Sequence, residues 1–207
     1  MKHFFILIFP LFIFSCSGDQ SNNVLNSSDS LVHTNNNSVD SIIKKDSLAS
    51  TSSRPLINTI DEMAKLVFEA VKSNSIEDYI NLLPTTEEIN SLISAAILDA
   101  QTKEKSIKEF PEKRKEEIEK AKKRFAETVK MAIDSAGIIW KETKYFVAKT
   151  SVQMTPAGFE QANDISVIFT FKNKYYEFRL ADCVKTPFGW RVSARIRYDG
   201  EPDNPMK

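Results

Sequence analysis

The stretch ISVIFTFKNKYYEFRLADCV, residues 165–184, decides the fold class because its apolar side chains recur at every second position. The face predicted to lie in the core comprises Ile165, Val167, Phe169, Phe171, Tyr176, Phe178 and Leu180. The polar residues 172–174 interrupt the alternation and have the composition of a hairpin connection. The stretch therefore predicts two antiparallel strands with one buried face.

Two further alternating stretches flank this hairpin. Before it, KYFVAKTSVQM (residues 144–154) has on one side Phe146, Ala148, Thr150, Val152 and Met154. After it, FGWRVSARIRY (residues 188–198) is expected to turn inward Trp190, Val192, Ala194 and Ile196, and outward Arg191, Ser193, Arg195 and Arg197. Four consecutive strands joined by short turns predict an antiparallel meander, a curved four-stranded sheet with one face in water.

Helical periodicity fills the part of the chain before these strands. Three capping signals predict helix starts, namely Thr59 with Glu62, Ser75 with Asp78, and Thr85 with Glu88. The third helix is expected to present one apolar face made of Ile89, Leu92, Ile93, Ala96 and Ile97. A longer, charge-rich helical region ends at Gly137, with Pro111 either in a first turn or at a break between two helices. Helices followed by an antiparallel sheet predict an α+β domain over residues 56–200.

Composition excludes several classes of site. The chain has 28 basic and 28 acidic residues, so no overall field attracts nucleic acid, and no nucleic-acid partner is expected. Its two histidines, His3 and His33, both precede the predicted domain. The domain therefore lacks the imidazole that a Ser-His-Asp triad, a Cys-His pair or a histidine-ligated zinc requires. We predict no catalytic, cofactor-binding or metal-binding residue and no cofactor.

The amino terminus has the pattern of an export signal. Eleven residues without a polar side chain, Phe4–Phe14, follow Lys2 and His3, whereas a membrane-spanning helix needs about 20. The run ends in Ile13-Phe14-Ser15-Cys16, which resembles the lipobox of bacterial lipoproteins, although Phe14 is bulkier than that family usually has there. The resemblance implies a signal peptide over residues 1–15, removal of that peptide, and diacylglycerol and an amino-terminal acyl chain on Cys16. The alternative is an ordinary secreted protein in which Cys16 is left unpaired or pairs with Cys183, the other cysteine of the chain.

Residues 16–55 are predicted to be a lipidated cysteine followed by a disordered linker rich in serine and asparagine. A flexible coil of this length spans on the order of 35 Å, enough to lift a small domain off a membrane. Residues 201–207 are predicted to be a flexible tail. If Cys16 carries lipid, Cys183 has no partner in the chain and is expected to be a small buried side chain in a strand.

The order of helices followed by strands that end in YYEFRLADCVKTPFGWRV resembles the NTF2-like superfamily over residues 56–198. The resemblance implies a cone-shaped domain, and members of that superfamily differ widely in function. Three classes stay open. A binding domain could use Arg191, Arg195 and Arg197, and an enzyme could use Asp182 with Tyr145 or Tyr176. The third class is a structural envelope protein or a homo-oligomer, in which Tyr145, Tyr175 and nearby aromatic residues could form a dimer interface.

We therefore expect a lipoprotein of the bacterial cell envelope, anchored through Cys16 and extracytoplasmic, in the outer membrane. Its domain is expected to be non-catalytic and to bind an envelope protein or a small ligand.

Overall fold

Helices and strands follow in the predicted order in the computed structural model, which describes residues 54–204. The helices are α1 (Ile60–Ser73), α2 (Ile76–Asn81), α3 (Thr86–Ala95) and α4 (Ala100–Ala136), followed by a 3₁₀ helix, Trp140–Glu142. The strands are β1 (Lys144–Met154), β2 (Glu160–Phe171), β3 (Lys174–Leu180), β4 (Cys183–Thr186), β5 (Gly189–Arg191) and β6 (Ile196–Gly200). The domain is α+β, with an open antiparallel sheet.

The predicted helix starts are confirmed. The hydroxyl of Thr59 accepts the N–H of Glu62 at 3.1 Å, and the hydroxyl of Ser75 accepts that of Asp78 at 3.3 Å. Thr85 and Glu88 form a complete capping box at the start of α3. These caps occupy N–H groups that have no partner within the helix, and so they fix where each helix begins.

The expectation for Pro111 is wrong, because α4 continues through this residue. Proline removes one main-chain hydrogen bond from a helix interior. One ion pair spans it, between Glu109 and Lys113, and another follows it, between Glu112 and Lys115, and both support the helix surface. The helix ends as predicted at Gly137, which adopts a left-handed conformation with φ of 62°.

The predicted count of four strands is also wrong, because residues 54–204 form a six-stranded sheet. β2 pairs with β1 along one edge, and along its other edge it pairs first with β4 and then with β3. β5 pairs with β4, and β6 pairs with β3. The third predicted strand is therefore divided into β3 and β4, and the fourth is divided into β5 and β6.

The interruptions have different local features. Asp182, between β3 and β4, is left-handed with φ of 58°, a value at which aspartate is tolerated better than most residues. Ala181 donates to the carbonyl of Arg195 at 3.0 Å, and Val192 donates to the carbonyl of Leu82 after α2 at 3.1 Å. The second bond joins the chain after β5 to the helices instead of to a neighbouring strand.

The predicted core face of the central hairpin is confirmed, since its seven apolar side chains are all buried against the helices. Two neighbouring expectations are wrong. Register shifts after Tyr145 and after Lys149 break the alternation of β1, so its five predicted residues do not form one regular face. Ile97 lies beyond the end of α3 and is 77% exposed.

Candidate functional site

The face of the sheet that points away from the helices carries the polar residues of β2 and β3. Ser166 pairs with Arg179 and Ile168 with Glu177 across these strands. Residues 202–204 pass close to the same surface, and Lys149 donates to the carbonyl of Asn204 at 3.0 Å. Between them lies an open groove of about 330 Å³ lined by Lys149, Thr150, Asp164, Ser166, Ile168, Glu177, Arg179, Pro202, Asp203 and Asn204.

Arg179 is the centre of this groove. Its guanidinium contacts Asp199 at 2.7 Å, Glu177 at 3.0 Å and Asp164 at 3.1 Å. The hydrogen bond that Arg179 donates to Glu177, with the nearby carboxylates, raises the pKa of Arg179 above its ordinary value. Ser166 donates a hydrogen bond to Glu177, which is itself buried. The guanidinium of Arg179 is thus fixed among the carboxylates of Asp164, Glu177 and Asp199, and negative charge is in excess around it.

A second groove of about 480 Å³ lies at the end of β2, near the turn to β3. It is lined by Glu142, Lys144, Thr170, Phe171, Lys172, Asn173 and Tyr175. The ring of Phe146 meets that of Tyr175 edge-on at 5.0 Å. Lys172 and Asn173 hold the turn with φ of 49° and 62°. The surface therefore combines an aromatic pair with lysines beside the more acidic first groove.

The structure does not bring together the carboxylate and tyrosines considered for proton transfer. Asp182 pairs with Arg195 at 2.7 Å, and burial raises the pKa of Asp182 while Arg195 opposes that rise. Tyr145 instead donates to Asp61 at 2.5 Å, and burial followed by this hydrogen bond raises the pKa of Tyr145. Tyr176 packs in the core against Phe169.

Cys183 lies in β4 opposite Ala162 and is fully buried, as expected from the sequence. Burial raises the pKa of its thiol to about 12. A thiol in this state is a poor nucleophile at neutral pH. Among residues 54–204, no group of three or more His, Cys, Asp or Glu side chains is placed to hold a metal ion.

The arginines predicted to line one outward face are not equivalent. Arg191 is only 2% exposed, so its outward placement is wrong. Its guanidinium contacts Glu88 at 2.7 Å and donates to the carbonyls of Trp190 and Phe188. Arg195 is partly exposed against Asp182, and Arg197 is largely exposed against Asp199. The predicted basic stripe is therefore a set of ion pairs, one of them buried.

Sequence reasoning missed the partner of Arg191. Glu88 was identified only as the glutamate of a capping box, yet it also accepts from Arg54 at 2.9 Å and from Arg191 at 2.8 Å. Burial alone would raise the pKa of Glu88, but Arg191, the N–H of Thr85 and Arg54 hold that pKa below its ordinary value. A buried capping residue far from Arg191 in sequence gives no local signal of this contact.

The predicted lipidation site, Cys16, lies outside the described residues, as do the signal peptide and nearly all of the linker. None of the helices described in residues 54–204 is long and apolar enough to cross a membrane. No protein-family model, no curated protein and no solved structure matches the chain.

Proposed function

We propose that this chain is a lipid-anchored, extracytoplasmic bacterial lipoprotein whose NTF2-like domain binds a partner in the cell envelope without catalysis. The polar groove around Arg179 is the observation that carries the binding role. Its guanidinium and carboxylates are held by one another and by the strands, so they are organised before any ligand arrives. Such a site suits a polar ligand, or a protein segment, that carries both charges.

The NTF2-like assignment is supported by the order of the elements. Helices precede a long hairpin and two interrupted strands, and the apolar face of the sheet packs against the helices. The interruptions at Asp182 and after Arg191 are the features that would bend the sheet towards a cone. Both grooves are lined by residues of the central strands β2 and β3.

Anchoring rests on the sequence of the first sixteen residues. A single acyl chain holds a protein to a membrane only marginally, whereas several chains on one cysteine give durable attachment. A tethered domain meets its partners at a raised effective concentration, so even a weak groove can be useful. The outer membrane is the proposed location.

The enzyme alternative has one observation in its favour, the bond from Tyr145 to the carboxylate of Asp61. The raised pKa of Tyr145 keeps its proton in place at neutral pH, so the pair is poorly suited to proton abstraction. A tyrosine that anchors β1 to the start of α1 accounts for the same contact. We therefore favour the binding role.

Two measurements test the proposal. Intact mass and membrane partition of the wild type and of Cys16→Ala test the anchor. We expect the wild type to be acylated and the variant to remain unprocessed. A wild-type chain without the acyl mass would reject anchoring.

A photoreactive residue at Thr150 tests the groove, with Glu119 on the exposed face of α4 as the control position. A discrete adduct at Thr150 that Arg179→Gln abolishes in a folded protein is expected. Equal labelling at both positions would reject the groove.

A further inference from the structure

The first described residues run alongside β5. Ile57 forms a parallel bridge with Gly189, and the N–H of Trp190 donates to the carbonyl of Ile57 at 2.8 Å. A Cβ atom on Gly189 would lie 2.5 Å from that carbonyl oxygen, so only glycine permits this approach. Leu56 and Phe188 immediately precede these two bridged residues, so both lie at the same end of the bridge.

Apolar side chains are exposed at this end of the bridge, one in the segment before α1 and one in the turn between β4 and β5. Ile57 is fully buried, whereas Leu56 is 59% exposed and Phe188 is 49% exposed. Their neighbours Pro55 and Pro187 are exposed as well. We call Pro55, Leu56, Pro187 and Phe188 the entry patch. Exposed apolar side chains that are clustered in this way mark interaction surfaces more often than scattered ones do.

The entry patch lies where the chain outside the structure ends. Pro55 follows Arg54, the first described residue, whose guanidinium donates to the carbonyls of Asn81 and Leu83 and pairs with Glu88. These bonds and the bridge at Ile57 fix the last residues of the linker against the domain. A membrane that anchors the segment before Arg54 therefore also has the entry patch near its surface.

We propose that the entry patch rests on the surface of the lipid bilayer, with Leu56 and Phe188 at the boundary between headgroups and acyl chains. This inference rests on the proposed anchoring through Cys16. The predicted linker, 37 residues from Ser17 to Ser53, would have a root-mean-square span of roughly 35 Å as a flexible coil, so contact of the domain with lipid becomes an intramolecular event. Aromatic and aliphatic side chains on a rigid edge are the groups that bury favourably in this boundary.

This placement also orients the binding face. Residues Gln161 and Ala162, at the start of β2, pair with β4, which leads into the turn that carries Phe188. The second groove lies at the other end of β2, near Phe171. Ten residues of strand span roughly 33 Å, so with the entry patch on lipid the second groove faces away from the membrane.

The test uses the acylated full-length chain in vesicles of phosphatidylethanolamine and phosphatidylglycerol. Single variants Leu56→Cys and Phe188→Cys are labelled with the environment-sensitive fluorophore NBD, and Phe146→Cys beside the second groove is the control of similar exposure. Buried Cys183 and acylated Cys16 leave the introduced thiol as the reactive one. We expect at least a twofold rise in emission, with a blue shift, at positions 56 and 188 and no change at 146.

Three other outcomes would overturn the proposal, and they differ in whether the anchoring is overturned with it. An acylated chain that floats with the vesicles but keeps water-like emission at positions 56 and 188 overturns the entry-patch proposal alone. A chain without the acyl mass overturns the anchoring and this inference together. A concentration-dependent shift in the absence of vesicles assigns the patch to a second copy of the chain, which also overturns the assignment to lipid.

Discussion

Replacing Glu88 with glutamine removes the charge that compensates Arg191 in the interior. The Glu88 carboxylate accepts from Arg191 at 2.8 Å, from Arg54 at 2.9 Å and from the N–H of Thr85 at 2.8 Å. An amide oxygen can still accept from Thr85, so the helix cap survives in the variant. Arg191 is 2% exposed and cannot regain full hydration, whereas Arg54 is partly exposed and can. Breaking a buried pair costs about 3–5 kcal/mol, so we expect Glu88→Gln to lower the free energy of unfolding by about 3 kcal/mol.

Urea unfolding at pH 7, followed by the fluorescence of Trp140 and Trp190, measures this loss. Glu87→Gln is the matched control, because Glu87 precedes Glu88 in the same helix turn but is exposed, and its free energy of unfolding should change by less than about 0.5 kcal/mol. A loss below about 1 kcal/mol for Glu88→Gln would refute the reasoning, because Arg191 would then be compensated by other groups.

The same pair predicts a pH dependence. The pKa of Glu88 is lower in the folded chain than its ordinary value of 4.5, so the folded state binds fewer protons on this group than the unfolded state does. The stabilisation is therefore present above about pH 4.5 and is lost as pH falls through the lower folded pKa. The difference in the free energy of unfolding between wild type and Glu88→Gln should shrink below pH 4.5. A difference that stays constant down to pH 3 would contradict this assignment.

Three further predictions follow from single contacts. Gly189→Ala should lower the free energy of unfolding by at least about 2 kcal/mol, because the new Cβ would meet the carbonyl of Ile57. Gly200→Ala has a similar φ but open space around it, so it should lower that free energy by about 1 kcal/mol or less. Urea unfolding compares the two variants. Cys183 should react with a thiol reagent only as fast as the domain unfolds, so reaction at full rate in the native protein would contradict its burial. Pro111→Ala should slow amide exchange in the first half of α4, because it restores one main-chain hydrogen bond, and unchanged exchange there would argue against a continuous helix.

Local signals predicted the parts of the fold that depend on neighbours in sequence. The caps at Thr59 and Thr85 satisfy N–H groups three residues away, so the sequence alone contains the whole interaction. The hairpin turn at Lys172 and Asn173 and the alternation of the two strands around it are equally local. Local sequence patterns predicted only part of the candidate site. Glu177 and Arg179 alternate in sequence with the core residues of β3, but the contacts of Arg179 with Asp164 and Asp199 depend on pairing between strands.

The failed predictions for the strands share one physical cause, which is that alternation describes a strand only while its pairing continues. The chain after β5 leaves the sheet at Val192, whose N–H donates to the carbonyl of Leu82, and it rejoins the sheet at Ile196. Arg191 stands at that departure, where Glu88 from α3 can reach it, so a position that alternation assigns to water becomes a buried charge. The sequence carries a weak trace of the other interruption, between β3 and β4, in Asp182, because aspartate is one of the few residues that tolerates the left-handed conformation observed there. Both interruptions are set by where pairing between strands ends, which the alternation within a single stretch of sequence does not record.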